Sequence, residues 1–363
     1  MKVANSRFAP NFGAAGDFTD SVLLDLQLKA EEMWADGKYT DNLKPHADAA
    51  ILQLQKQTAR FVEFDTPDKD RTANVVWLKM CGGAVTELDR TTDICTISGA
   101  EAEVDTLPYE MDIDFKWNFS VDAEKARTNA YGIEEVIAKK IMEADKKMSE
   151  SWATRLMTKY KAFAGPNIPV IDGSSVPFTW DAGNTTSNIA AASYNIDIVA
   201  NLIQQMILND VDGGYYLNAG QLFQPWMNAG LNSANFDGKG NDARRTQIDM
   251  NFDQFSFKRA ALTEDMFLLS NSAVAMKTHN RYGIAPQYIG GSINQTRYKV
   301  KSNILPNTYW DVIYQLSCSG GKDIHTWQFM TRGGIWLNPT PCPTTIEGSD
   351  YTPTGVYSFT KVA

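Results

Sequence analysis

Cysteine and histidine are scarce in this chain of 363 residues, with four of the first and three of the second. Cys81, Cys95, Cys318 and Cys342 form no C-x-x-C pair, and none has a histidine at metal-ligand spacing. No zinc site or dithiol redox motif is therefore written here. The four read as reduced thiols rather than a disulfide framework. His46, His279 and His325 are too few and too isolated for proton-shuttle or metal chemistry, and each reads as structural. No stretch approaches the roughly 18 apolar residues that cross a bilayer. The first twenty residues carry no apolar secretory core. Positive charge is also short: 34 Lys and Arg against 43 Asp and Glu leave a net charge of -9. That balance excludes a protein that grips nucleic acid through a basic footprint.

Catalytic signatures are missing as well. The glycine-rich pieces GYYLNAG, DGKG and GGSINQ lack the spacing that cradles phosphate. DVDGGYYLNAGQ, residues 210–221, opens like a calcium loop but puts Tyr215 where glycine is needed and Gln221 where the bidentate glutamate belongs. No G-x-S-x-G elbow occurs. Asp112 and Asp114 resemble a glycosidase pair only in composition, because their strict alternation marks a solvated or partner-facing strand side. Arg244 with Arg245, and Arg297 with Lys299 and Lys301, are the main basic clusters and read as solvated faces or subunit contacts.

Aromatic residues are abundant: nine Trp, 14 Tyr and 17 Phe. In YEMDIDFKWNFS, residues 109–120, apolar and polar residues alternate without a break, a strong strand pattern. An earlier strand is expected at residues 73–80, so residues 61–120 read as a long hairpin with a wide tip. Its returning arm is acidic, with six Asp and Glu against one Lys between residues 101 and 116. Upstream, residues 19–34 read as a helix capped by Thr19 or Asp20, and residues 47–64 as a second apolar stretch. Both need a surface to lie on. Residues 133–163 carry the longest helical pattern, with Ile133, Ile137, Ile141, Ala144, Met148, Trp152, Leu156 and Tyr160 on one stripe. Glu135–Lys139 and Glu143–Lys147 are expected to pair along it. Such a rod runs roughly 45 Å. A helix at residues 194–210, a mixed α/β region to about residue 290, and C-terminal strands with turns at Gly320–Gly321 and Gly333–Gly334 complete the reading.

This order of elements, α+β in class, resembles the Hong Kong 97-like fold of the major capsid proteins of tailed double-stranded DNA bacteriophages. The resemblance implies an N-terminal arm (1–60), an extended hairpin or E-loop (61–120), and a peripheral domain (121–193) holding a spine helix at 133–163. It further implies an axial domain (194–290) and peripheral-domain strands (291–363). GGYYLNAGQLFQPWMN and DMFLLSNSAVAMKTHNR resemble axial-domain segments. The implied role is structural and not enzymatic. Copies of the chain would form hexamers and pentamers of an icosahedral shell, assembled in the host cytoplasm and found in the virion. No cofactor and no membrane are implied; scaffolding, portal and decoration proteins are implied partners, with packaged DNA touched non-specifically. The apolar row Met111, Ile113, Phe115 and Trp117 would bury against a neighbour or a paired strand. Asp112 and Asp114 would face Lys139, Lys140, Lys146 or Lys147 on an adjacent copy. A nanocompartment shell of the encapsulin type shares the fold and stays open, as does a carboxylate-based hydrolase assembled from scattered residues.

Overall fold

The computed structural model describes residues 20–35, 51, 52, 54, 55, 58, 62–69, 72–78, 104–127, 132–165, 178–190, 215–218, 254–256, 265–270, 273–289, 295–319, 322–338 and 354–362. The expected helix at residues 194–210 lies outside them. In chain order the elements begin with α1 (Asp20–Ala35), β1 (Val62–Lys69), β2 (Thr72–Leu78), β3 (Val104–Glu110), β4 (Ile113–Asp122), α2 (Ala123–Arg127) and α3 (Gly132–Phe163). There follow β5 (Phe178–Asp181), β6 (Thr186–Ala190), β7 (Tyr215–Asn218), β8 (Gln254–Ser256), β9 (Asp265–Ser270) and β10 (Val274–His279). The chain closes with β11 (Gln287–Ile289), β12 (Gln295–Lys301), β13 (Tyr309–Ser319), β14 (Lys322–Leu337) and β15 (Val356–Val362). They fall into two units, one of residues 1–47, 111–152 and 278–333, the other of residues 48–110, 153–277 and 334–363.

In the first unit β4, β14, β13, β12 and β11 lie side by side, all antiparallel. Directly paired residues share a face, so register decides what each face carries. One face collects Tyr298, Trp310, Tyr314, Trp327, Phe329 and Phe119, all buried. Phe119 stacks on Trp327 at 5.0 Å, and Tyr314 passes its hydroxyl to buried His325 Nδ1 or accepts from it at 2.8 Å. Helix α3 meets this aromatic face: Phe115 is edge-on to Trp152 at 5.6 Å, and Trp310 bonds Asp145. All eight stripe residues expected for that helix are buried, none more than 5% exposed. Each contributes on the order of 1.5–3 kcal/mol, less for alanine. The helix opens at Gly132, whose φ of +58° suits a residue without Cβ. Helix α1 buries Leu23, Leu26, Ala30 and Met33, a stripe at helical spacing, and Lys29 Nζ reaches Glu134 at 2.7 Å.

In the second unit β1, β2 and β3 make a three-stranded antiparallel sheet. Its two outer strands hold Pro67 and Pro108, as expected for residues with no ladder donor. Buried Trp77 lies edge-on to Tyr109, and Tyr109 packs on Trp336 at 5.6 Å. A six-stranded sheet, ordered β5-β6-β15-β9-β7-β8, sets β15 between a parallel neighbour, β6, and an antiparallel one, β9. Residue Tyr160 of α3 packs on Phe267 of β9 at 5.7 Å.

Three expectations are corrected. The unbroken alternation at residues 109–120 is two strands, not one: β3 ends at Glu110 and pairs with β2, while β4 starts at Ile113 and pairs with β14. The strand returning to β2 is therefore Val104–Glu110. Within the second apolar stretch, residues 51, 52, 54, 55 and 58 are helical, and residues 62–64, inside the expected hairpin, open strand β1. Gly333–Gly334 is no turn but the interior of β14, and a Cβ at Gly334 would fall on the Trp336 indole. The glycine is there for close approach, not for reversal.

Candidate assembly surfaces

The expected contact residues divide by what the chain itself already covers. Met111 and Ile113 are 5% and 2% exposed. Phe115 and Trp117 are half-buried on the face that meets α3, with Trp117 against Phe119 at 5.6 Å. Of the two covers expected for this row, a neighbour or a paired strand, Met111 and Ile113 are covered by the chain itself. The reason is register: β4 sits opposite β14, so its odd-numbered side faces the helix. Its even-numbered side must then face away. Asp112 and Asp114 are exposed, and Asp114 takes Arg332 Nε at 2.6 Å and Nη2 at 3.4 Å across the β4–β14 pair.

The helix lysines engage carboxylates of their own helix. Lys139 pairs with Glu135 at 3.3 Å, Lys140 with Glu143 at 2.7 Å, and Lys146 and Lys147 with Glu150 at 3.8 and 3.5 Å. The expected Glu143–Lys147 pair gives way to Lys140–Glu143, one turn earlier. All are partly exposed and contribute about 0.3–0.5 kcal/mol each. Their worth to the fold is small.

Two carboxylates that sequence reasoning passed over organise the first unit. Asp145 is 4% exposed on α3. Its Oδ1 accepts Ser302 Oγ at 2.6 Å and Trp310 Nε1 at 2.7 Å, and its Oδ2 accepts the Asn303 amide at 2.8 Å. Ser302 Oγ in turn accepts the Ile304 and Leu305 amides at 3.1 and 3.0 Å. Burial pushes the Asp145 carboxyl above its ordinary value of 3.8, against the pull of these donors. The signal was legible: Asp145 stands four residues after Ile141, on the apolar stripe. Asp311, 3% exposed on β13, accepts the Arg281 amide at 2.9 Å, the Tyr282 amide at 3.3 Å and Asn280 Nδ2 at 3.4 Å. Burial raises this carboxyl too.

Among the described residues no cluster of three or more His, Cys, Asp or Glu side chains could hold a metal ion, and no helix is long and apolar enough to cross a membrane. Residues 215–218 of the calcium-like segment form a strand.

No protein-family model matches the chain, and no curated protein matches it. Solved structures do. A chain from Mycobacterium phage Adephagia matches at 15% identity and TM-score 0.44, covering 90% of this chain and 94% of that one. The asymmetric unit of the bacteriophage PhiM1 mature capsid matches at 12% identity and TM-score 0.39, over 81% and 83%. A virus-like particle from Pyrococcus furiosus matches at 9% identity and TM-score 0.42, over 93% and 98%. At TM-scores under 0.5 these remain likenesses, and the functional reading rests on the chain's own elements.

Proposed function

We propose that this chain is a shell-forming subunit: the major capsid protein of a tailed double-stranded DNA phage, with the Hong Kong 97-like fold. One observation carries the reading. A helix of 32 residues backs an aromatic sheet, while a separate acidic sheet, β1–β2–β3, shares no strand with either six-stranded sheet. One side of that sheet, Ala73, Val75 and Trp77, is already buried by the chain itself, while Thr72 and Asn74 on the other side are exposed. Repeated contacts between copies would use that exposed side, each modest and summed over a closed shell. Between Val62 and Glu110 the chain holds eleven Asp and Glu against four Lys and Arg. This region would act as the E-loop and lie over a neighbour. The exposed and partly exposed members of the contact set, Asp112, Asp114, Lys139, Lys140, Lys146 and Lys147, are the residues we assign to copy-to-copy contacts. An acidic wall suits a container whose genome must slide in and out, so DNA would be touched only non-specifically. Scaffolding, portal and decoration proteins would complete the particle.

Electron microscopy of the purified chain, with sedimentation alongside, tests this. Closed particles, hexamers or pentamers are expected. Absorbance at 260 nm then separates a genome container from a shell around protein cargo. A chain that stays monomeric at every protein and salt concentration would overturn the proposal, and hydrolytic turnover by that monomer would replace it with an enzyme.

A further inference from the structure

Three of the four most exposed large apolar side chains among the described residues fall within six positions: Ile284 at 58%, Tyr288 at 55% and Ile289 at 39%. The segment that carries them is held in place. Asp311 fixes the amides of Arg281 and Tyr282, the Lys299 amide donates to Gly283 O at 2.8 Å, and Arg297 lies over the Tyr282 ring at 5.7 Å. Strand β11 then pairs with β12 and ends the sheet. Tyr288 pairs with buried Thr296 and Ile289 with Gln295, so their side chains leave opposite faces of the edge. Apolar groups on both faces of an uncharged edge strand suit a partner that meets the edge itself. Because the segment is already ordered, a partner would lose little entropy in using it.

Charge says which partner. Residues 278–310 contain no Asp or Glu but four Lys and Arg, and Arg281 and Lys301 are exposed. Two such patches facing each other would repel, which disfavours a two-fold contact of edge with edge. The excess negative charge of the chain sits mainly in residues 62–110. We propose that the β11 edge, with Ile284, Tyr288 and Ile289 flanked by Arg281 and Lys301, receives the acidic β1–β2–β3 sheet of a second copy. The contact is head-to-tail, as a closed ring requires. It rests on the shell reading above and assigns the receiving surface to this edge rather than to the lysines of α3.

The test uses the full-length chain and two charge-reversed variants. One carries Arg281→Glu and Lys301→Glu; the other carries Glu63→Lys, Asp105→Lys and Glu110→Lys, which lie on β1 and β3. Each alone opposes like charge to like and should need at least about tenfold more protein to associate in sedimentation. Their equimolar mixture should associate at the wild-type concentration, since each then meets its complement. Ile284→Ser with Ile289→Ser should weaken association by roughly tenfold without lowering the melting temperature. If the wild type assembles and the patch variant assembles equally well, this inference falls while the shell reading stands. A wild type that never associates overturns both. If the Glu63, Asp105 and Glu110 variant associates normally by itself, the edge pairs with its own kind instead. Binding of a short DNA duplex that only the patch variant loses, with association unchanged, would assign the patch to nucleic acid.

Discussion

Replacing Asp145 by alanine perturbs the first unit at its most constrained point. The carboxylate is the acceptor for three donors, of which Ser302 and Trp310 are buried to 3% and 0% exposure. Each donor left without a partner costs about 1–3 kcal/mol. Ser302 can turn its hydroxyl, and the Asn303 amide lies nearer water, so the three do not lose equally. Against that loss stands relief from burying a charge, which shows in the raised carboxyl. The net expectation is a destabilisation of about 2–4 kcal/mol, read as a shift of the urea midpoint at unchanged slope. Asp145→Asn keeps one acceptor oxygen and should lose about half as much. Trp310→Phe, which removes one donor and leaves the carboxylate two, should fall below either. If Asp145→Ala unfolds within about 0.5 kcal/mol of the wild type, the 302–305 segment does not depend on this carboxylate and the reasoning fails.

Three further outcomes are expected. Because the folded Asp145 carboxyl sits above its unfolded value, the fold binds its proton more tightly; the stability from this group is present below about pH 3.8 and declines as pH rises through the folded value. The wild type's advantage over Asp145→Asn should therefore shrink as pH rises across that window, and an advantage that grows with pH would contradict the burial argument. Gly334→Ala should cost roughly 1–3 kcal/mol, since the Trp336 ring must leave Tyr109 and its 3.1 Å bond to Glu110 O; a quenched or shifted near-ultraviolet signal from the tryptophan would report it. Asp114→Ala should change folding stability by no more than about 1 kcal/mol despite its 2.6 Å contact with Arg332, because the carboxylate is largely exposed. A larger loss in the melting curve would show that the pair is desolvated in a way the isolated chain does not suggest.

Periodicity made much of the architecture legible. The 3.6-residue stripe from Ile133 to Tyr160 marked α3 nearly to the residue, and each stripe position is buried. The alternation through residues 113–119 named the buried side of β4 correctly. The contact set was less legible. Met111 and Ile113 looked available for a neighbour because a strand's apolar side says that it needs cover, not whose. Lys139, Lys146 and Lys147 each have a carboxylate three or four residues away on either side, and rotamer choice picks between them.

Local pattern, then, dictated the helix, the sides of each strand and the acidic character of residues 62–110, because each depends on neighbours within a few positions. Tertiary structure alone decided that the chain changes sheets between Glu110 and Ile113, although the alternation continues across the break. It likewise decided that Asp145 would be closed in by residues 302, 303 and 310, more than 150 positions away. Ladder bonds and buried polar contacts join residues whose separation along the chain carries no periodic trace, so only the packed molecule selects among partners of equal local merit.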